Sequence, residues 1–380
     1  MNIAVTSSPP SAGIGRRIRV MIVDDAIVVR GLFMRWIESE PDLEVVAALR
    51  SGREALAKIE SVDPDVVLLD IEMPDLDGLT ALPLLLAKKR DLVVIMASSL
   101  TRRNAEVSLK ALSLGATDYI PKPVGGSEAI GSSIFRRELI EKVRQLGLRA
   151  KRLRLARAAR PRIQDNAVAG PTEQGATYPL RPMPMSPPRV LVIGSSTGGP
   201  QALNAVLGPL SQVIERAPVL VTQHMPPMFT AILAEHLSRV SKCTAREAQD
   251  GEDINAGTIY VAPGGKHMRV ARREGTAVIA LDDSPPVNFC KPSVDPLFSS
   301  AAEVWGNWVL GLMLTGMGAD GSKGAQAIVD AGGAMIAQDE ETSVVWGMPG
   351  QVAQAGLCSA VLPVDEIAPK LIRLFGAERE

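Results

Sequence analysis

An apolar run, VLVI (190–193), leads straight into GSSTGGP (194–200), a loop holding three hydroxyls and three glycines. Two chemistries use such a loop. Its bare amides can hold a phosphate at a helix N-terminus, or one hydroxyl can act as a nucleophile beside amide donors. A dinucleotide site would carry G-x-G-x-x-G and an acidic residue closing the next strand. The spacing here is G-x-x-x-G-G, and the next apolar run, PVLVTQ (218–223), ends on Gln223 and His224. A later run, VLGLMLT (309–315), leads into GMGADG (316–321) and places Asp320 in a glycine-rich loop. Serine, histidine and aspartate at three strand ends suit acyl transfer. The imidazole takes the serine proton, and the carboxylate fixes its tautomer and stabilises the imidazolium. Of the three histidines, His236 lies in a helical stretch and His267 opens a hairpin, which leaves His224 as the base. Taken singly, the serine reads as a helix cap, the histidine as structural and the aspartate as a helix start. The assignment rests on the three together.

A second set of groups stands at other strand ends: Asp24 and Asp25, Asp70, Ser98 and Lys122. Clustered carboxylates without a nearby cation repel, so they hold protons or a hard metal. Mg²⁺ takes one or two carboxylates and phosphate oxygens. The lysine and the hydroxyl would then meet the remaining oxygens of a phosphoryl group carried on one aspartate.

The elements that must position these groups are legible as short β-branched runs alternating with helical stretches. From 18 to 140 the runs are IRVMIV (18–23), EVVAALR (44–50), DVVLLD (65–70), LVVIMA (92–97) and TDYIP (117–121), separated by helical stretches such as 27–39, 53–61 and 102–114. This pattern predicts a parallel sheet covered on both faces, with ligands outside the carboxyl ends of its strands. Residues 142–162 are crowded with Lys and Arg, and seven prolines fall between 161 and 188. The first part suits the extension of a helix, the second has too little apolar content to fold alone, and the whole reads as an interdomain linker. A second α/β block begins at 189, and KHMRVARREGTAVIALDD (266–283) reads as an antiparallel hairpin turning near Glu274 and Gly275. The expected organisation is a tail at 1–17, a first α/β domain at 18–140 carrying the carboxylate cluster, a basic and Pro-rich linker at 141–188, and a second α/β domain at 189–380 carrying the serine, histidine and aspartate.

VDD (23–25), LLDIEMPDLDG (68–78), SSL (98–100) and GATDYIPKP (115–123) resemble the receiver domain of two-component response regulators. The resemblance implies a flavodoxin-like five-stranded sheet, Asp70 as phospho-acceptor, and Asp24, Asp25 and Asp70 around Mg²⁺. It makes Ser98 the switch hydroxyl and Lys122 the phosphate partner. Ala26 stands where many receivers carry Ser or Thr. Residues 189–376 resemble the catalytic domain of the chemotaxis protein-glutamate methylesterases, through VIGSSTGGPQAL (192–203), QHMPPMFT (223–230), IYVAPGGKHM (259–268), KPSVDPLFSSAA (291–302), LTGMGADG (314–321) and QDEETSVVWGMP (338–349). That resemblance implies a doubly wound, mostly parallel domain with Ser196, not Ser195, as nucleophile, His224 as base and Asp320 as third member. Thr197 and Met317 would shape the oxyanion side. It also implies methyl-ester hydrolysis on chemoreceptor glutamates, deamidation of receptor glutamines, and no cofactor for the esterase step. The implied partners are methylated chemoreceptor helices and a sensor histidine kinase as phosphodonor, with phosphorylation relieving a receiver that packs over Ser196.

Composition excludes other classes. A net charge of −1 and 3% aromatics give little to attract or stack on nucleic acid, so a DNA-binding regulator is disfavoured despite the basic segment. A non-catalytic module whose Ser196 loop binds an anion is the other alternative. No apolar run approaches the roughly 18–20 residues of a membrane span, and the start lacks a signal-peptide core. The three scattered cysteines, Cys243, Cys290 and Cys358, lack metal-type spacing and read as core or surface thiols in a reducing cytoplasm.

Overall fold

The computed structural model describes residues 17–122, 130–159, 178–184 and 186–376. The expected N-terminal tail up to residue 16 and the linker stretch 160–177 lie outside the described residues. The first block runs β1 (Ile18–Val23), α1 (Ile27–Glu38), β2 (Leu43–Leu49), α2 (Gly52–Val62), β3 (Val66–Asp70), α3 (Gly78–Lys88), β4 (Val93–Ser98), α4 (Arg102–Ser113), β5 (Asp118–Pro121) and α5 (Ile130–Ala159). Its five strands pair in parallel in the order β2-β1-β3-β4-β5. The central strands are buried on both faces, which is why they read as unbroken apolar runs. Ser51, Asp77 and Thr101 cap α2, α3 and α4 by accepting from the backbone amides of Glu54, Thr80 and Asn104.

The basic segment does not leave the fold at residue 141. It continues α5, because Lys and Arg are good helix formers and Leu139, Ile140, Val143, Leu146 and Ala150 recur at helical spacing and are buried.

The second block runs β6 (Val190–Ser195), α6 (Gly199–Leu207), α7 (Ser211–Arg216), β7 (Val219–Gln223), α8 (Phe229–Ser241), β8 (Thr244–Glu247), β9 (Thr258–Val261), β10 (His267–Arg273), β11 (Thr276–Asp282), α9 (Val294–Trp305), β12 (Val309–Met313), α10 (Ser322–Asp330), β13 (Ala334–Gln338), α11 (Met348–Gln354), β14 (Ala360–Leu362) and α12 (Val364–Leu374). Seven strands lie in the order β14-β13-β12-β6-β7-β9-β8, all paired in parallel. The hairpin β10–β11 stands apart as an antiparallel pair. From β6 the chain winds first toward β7, β9 and β8, then returns to place β12 on the other side of β6. The sheet therefore has its topological switch point between β6 and β12, the place where open α/β sheets generally bind ligands.

The two blocks are in contact. α4 packs on α8 and α6, Tyr119 stacks on Phe229 with centroids 4.7 Å apart, and Arg102 pairs with Glu235 at 2.8 Å. Met317, Val344 and Val345 join the apolar cluster that α5 shares with β1 and α1. The Arg137 guanidinium on α5 lies 4.5 Å over the exposed Phe289 ring.

Two glycines test the packing in opposite directions. A Cβ on Gly78 would stand 1.9 Å from the Asp70 carbonyl oxygen, whereas one on Gly31, inside α1, would meet nothing within 4 Å. Gly78→Ala is predicted to destabilise the chain by about 1–3 kcal/mol in denaturant unfolding, and Gly31→Ala to stabilise it by about 0.5–1 kcal/mol. Equal midpoints for the two variants would contradict this packing.

Candidate active site

In the first block the loop after β1 carries Asp24 and Asp25, β3 ends on Asp70, and Lys122 follows β5. Lys122 Nζ lies 2.8 Å from Asp24 Oδ2 and 2.6 Å from Asp70 Oδ1. Ligand oxygens of Asp24, Asp25 and Asp70 fall within 4.8 Å of one another. Asp24 Oδ2 is buried and accepts no hydrogen bond among the described residues, where the ammonium of Lys122 is the cation paired with it. An under-coordinated buried oxygen among three carboxylates fits a hard divalent cation. Ser98 does not join this group. Its Oγ accepts a 3.1 Å hydrogen bond from Ser108 Oγ on α4, and only its carbonyl reaches the site, taking the Lys122 amide at 2.6 Å.

Burial raises the Asp70 carboxyl, Lys122 pulls it back and Asp24 repels it, leaving it at about 6 against an ordinary 3.8. A pKa raised by folding gives stability that is complete below the unfolded value and is lost as pH rises through the folded one. At neutral pH the buried charge therefore costs on the order of 2–3 kcal/mol at most. In metal-free buffer, Asp70→Asn is predicted to raise the unfolding midpoint at about pH 8, with the gain vanishing below about pH 4. A gain that is the same at both pH values would contradict the buried, raised carboxyl.

In the second block the switch point collects the other candidate residues. Ser196 follows β6, and its amide donates to the Thr315 carbonyl beyond β12 at 3.0 Å. His224 follows β7, and its amide donates to the Ser195 carbonyl at 3.0 Å. Gln223, buried, ties these ends together: its Nε2 donates to the carbonyls of Ser196 at 2.9 Å and His224 at 3.2 Å. The Ser195 hydroxyl is spent on Gln223 Oε1 at 2.7 Å, whereas the Ser196 hydroxyl donates to no described group. The geometry thus separates the adjacent serines. Gly198 takes φ +76° to turn the chain into α6, a conformation that favours glycine. A Cβ on Gly316 would stand 2.9 Å from that of Ser196, so the neighbouring loop also needs glycine for close approach.

His224 Nε2 lies 2.7 Å from Asp320 Oδ2. Asp320 is 2% exposed, and every lone-pair direction is used. Its Oδ1 accepts from Ser293 Oγ at 2.7 Å and Asn288 Nδ2 at 2.8 Å; its Oδ2 also accepts from the Val294 amide at 2.7 Å, in the first turn of α9. Burial opposes the charge, but the His224 contact and these donors outweigh it and hold the carboxyl well below its usual range. Burial also opposes the imidazolium, yet Cys290 and Asp320 together raise His224 above its ordinary value. The amides of Thr197 and Met317 donate to no backbone carbonyl among the described residues.

Several residues in this arrangement were not singled out by sequence. Gln223, Asn288, Ser293 and Thr315 act as braces, and only Gln223 had a signal, its place beside His224. Cys290 is the larger omission: its Sγ lies 3.5 Å from His224 Nδ1. Cys358 is a core thiol as expected and Cys243 is half-buried, but Cys290 is half-buried against the candidate base. His267 is fully buried and braces the same loop, its Nδ1 accepting from the Ser293 amide at 3.1 Å.

The chain matches two families, the response regulator receiver domain over residues 20–132 and CheB methylesterase over residues 191–371. It is 56% identical over 384 residues to a protein-glutamate methylesterase/protein-glutamine glutaminase of Rhodopseudomonas palustris, covering 100% of both chains. A protein of the same name from Nitrobacter hamburgensis is 56% identical over 374 residues, 98% of each chain. Among solved structures, the CheB methylesterase catalytic domain of Thermotoga maritima is 43% identical, covering 49% of this chain and 98% of that one with a TM-score of 0.48. A receiver domain in front of a methylesterase domain, matched end to end by such relatives, means that this chain belongs to the protein-glutamate methylesterase/protein-glutamine glutaminase family.

Proposed function

We propose that this chain hydrolyses γ-methyl esters of glutamate side chains on chemoreceptors, releasing methanol, and deamidates receptor glutamines, through a Ser196–His224–Asp320 acyl-enzyme mechanism switched by phosphorylation at Asp70. The observation that carries the reading is the 2.7 Å contact between His224 Nε2 and a fully hydrogen-bonded, buried Asp320, one strand away from the unengaged hydroxyl of Ser196. Asp320 keeps the Nε2 proton in place, so Nδ1 is the nitrogen that takes the Ser196 proton. The serine oxygen attacks the ester carbonyl, and the amides of Thr197 and Met317 receive the oxyanion. His224 then returns the proton to the departing methoxide, and a water repeats the sequence to free the acyl group from Ser196.

The contacts between the blocks support a closed resting state. Met317 and Val344, beside the nucleophile loop, pack into the cluster held by α5, and Arg137 covers Phe289 next to Cys290. Asp24, Asp25 and Asp70 would hold Mg²⁺, which when bound neutralises charge during phosphoryl transfer. A phosphoryl group on Asp70 adds nearly two negative charges within reach of Lys122. Ser98 would have to leave Ser108 to meet it, which links the acceptor site to α4 and, through Arg102 and Glu235, to α8. The phosphodonor is proposed to be a sensor histidine kinase. No helix among the described residues is long and apolar enough to cross a membrane.

Two variants test the reading with methylated receptor as substrate. Ser196→Ala is predicted to lower methanol release at least about 10³-fold; an unchanged rate would remove Ser196 from the chemistry. Tyr119→Ala, which gives up a stack worth about 0.5–1.5 kcal/mol, is predicted to raise the rate of the unphosphorylated chain by up to about tenfold. A lower rate in a folded Tyr119→Ala protein would argue against a closed resting state.

A further inference from the structure

The Asp320 carboxylate occupies Nε2 of His224, and Cys290 Sγ stands 3.5 Å from Nδ1. The ring has one nitrogen left for proton transfer, and a thiol already faces it. Cys290 sits in a short loop whose ends, Val287 and Cys290, exchange backbone hydrogen bonds of 3.1 and 2.9 Å. Its other neighbour is the Asn288 carbonyl at 3.4 Å. The remaining cysteines lack a base: Cys243 faces carbonyls and burial pushes its thiol up, while Cys358 lies in an apolar cluster and is pushed to about 12. A chelate is not the better reading of the His224–Cys290–Asp320 group. Both Asp320 oxygens are fully committed to Ser293, Asn288, Val294 and His224, which leaves a metal only the ring and the thiol. A cysteine, a histidine and an aspartate in series are instead a proton-transfer chain that ends on sulfur.

We propose that Cys290 is an oxidant-sensitive modification site that turns the esterase off by taking His224 Nδ1 away from Ser196. The proposal rests on the hydrolase reading above. His224 accepts the thiol proton, leaving a thiolate beside an imidazolium that Asp320 supports. The thiolate attacks one oxygen of a hydroperoxide such as hydrogen peroxide. A sulfur–oxygen bond forms as the oxygen–oxygen bond breaks, sulfur gives up two electrons, and the departing hydroxide takes the imidazolium proton to become water. The sulfenic acid on Cys290 then hydrogen-bonds Nδ1, the atom that Ser196 needs. An added thiol condenses with the sulfenic acid, releasing water and forming a mixed disulfide, and a second thiol restores Cys290.

The test treats the full-length protein with hydrogen peroxide and follows two quantities, the mass of the peptide carrying Cys290 and methanol release from methylated receptor. Cys290 is expected to gain one oxygen ahead of Cys243 and Cys358. Release should fall about a hundredfold in fully modified protein, as for loss of a general base, and return with dithiothreitol. Cys290→Ala and Cys290→Ser should each keep their own starting rate through the same treatment, which also separates this effect from methionine oxidation. An active chain whose Cys290 stays unmodified, or is modified without loss of rate, overturns the proposal, as do variants that lose activity as the parent does. An untreated chain that releases no methanol overturns the hydrolase reading itself.

Discussion

A carboxylate buried at 2% exposure needs its charge answered from every side, and the second block of this chain is arranged around that requirement at Asp320. Ser293, the first turn of α9, Asn288 and His224 each supply one donor. Removing any of them leaves part of a buried charge uncompensated, which is far more costly than losing a surface contact. The consequence for chemistry is directional. Because the carboxylate claims Nε2, Nδ1 is the ring nitrogen left for other partners, and Cys290 Sγ faces it at 3.5 Å. The proposed choice of Nδ1 as the base nitrogen rests on that one saturated carboxylate.

The two halves of the molecule use the same physical device. Each is a parallel sheet whose strands run outward from a central starting strand, and each gathers its polar groups where the direction of winding reverses. In the first sheet that place holds carboxylates and an ammonium; in the second it holds a hydroxyl, an imidazole and a carboxylate. The sites are joined by packing. Ser98, at the end of β4, bonds Ser108 on α4, and α4 lies on α8, which comes directly after the His224 loop. These contacts connect the end of β4 with the second block through α4.

Much of this was legible in the sequence because parallel strands buried on both faces leave unbroken apolar runs, and the polar groups of each site stand directly after those runs. The ends of β1, β3, β6 and β7 were readable within a residue for that reason, and the end of β12 within two. The short strands β8 and β14 left no comparable signal, since TARE and AVL are three or four residues at the sheet edges. The basic segment reads as a linker whose first part suits a helix, and α5 takes that part because its apolar residues keep a helical period. At the site the candidate positions Ser196, His224 and Asp320 were read from their place after strand ends. Ser293 and Cys290 were not, because the loop that brings them to Asp320 and His224 comes after a hairpin and obeys no periodicity. Ser98 shows a different limit: its position was right, but the direction of its hydroxyl depends on Ser108, forward along the chain on another element.

The most direct test of the account is the rate of Asp320→Asn in a protein shown by thermal unfolding to remain folded. If the carboxylate sets the tautomer of His224, methanol release falls by about 10⁴-fold, as expected when a triad keeps its shape but holds the wrong tautomer. A folded Asp320→Asn protein that works within about twofold of the parent rate would contradict the role given to Asp320, and with it the assignment of His224 Nδ1 as the base.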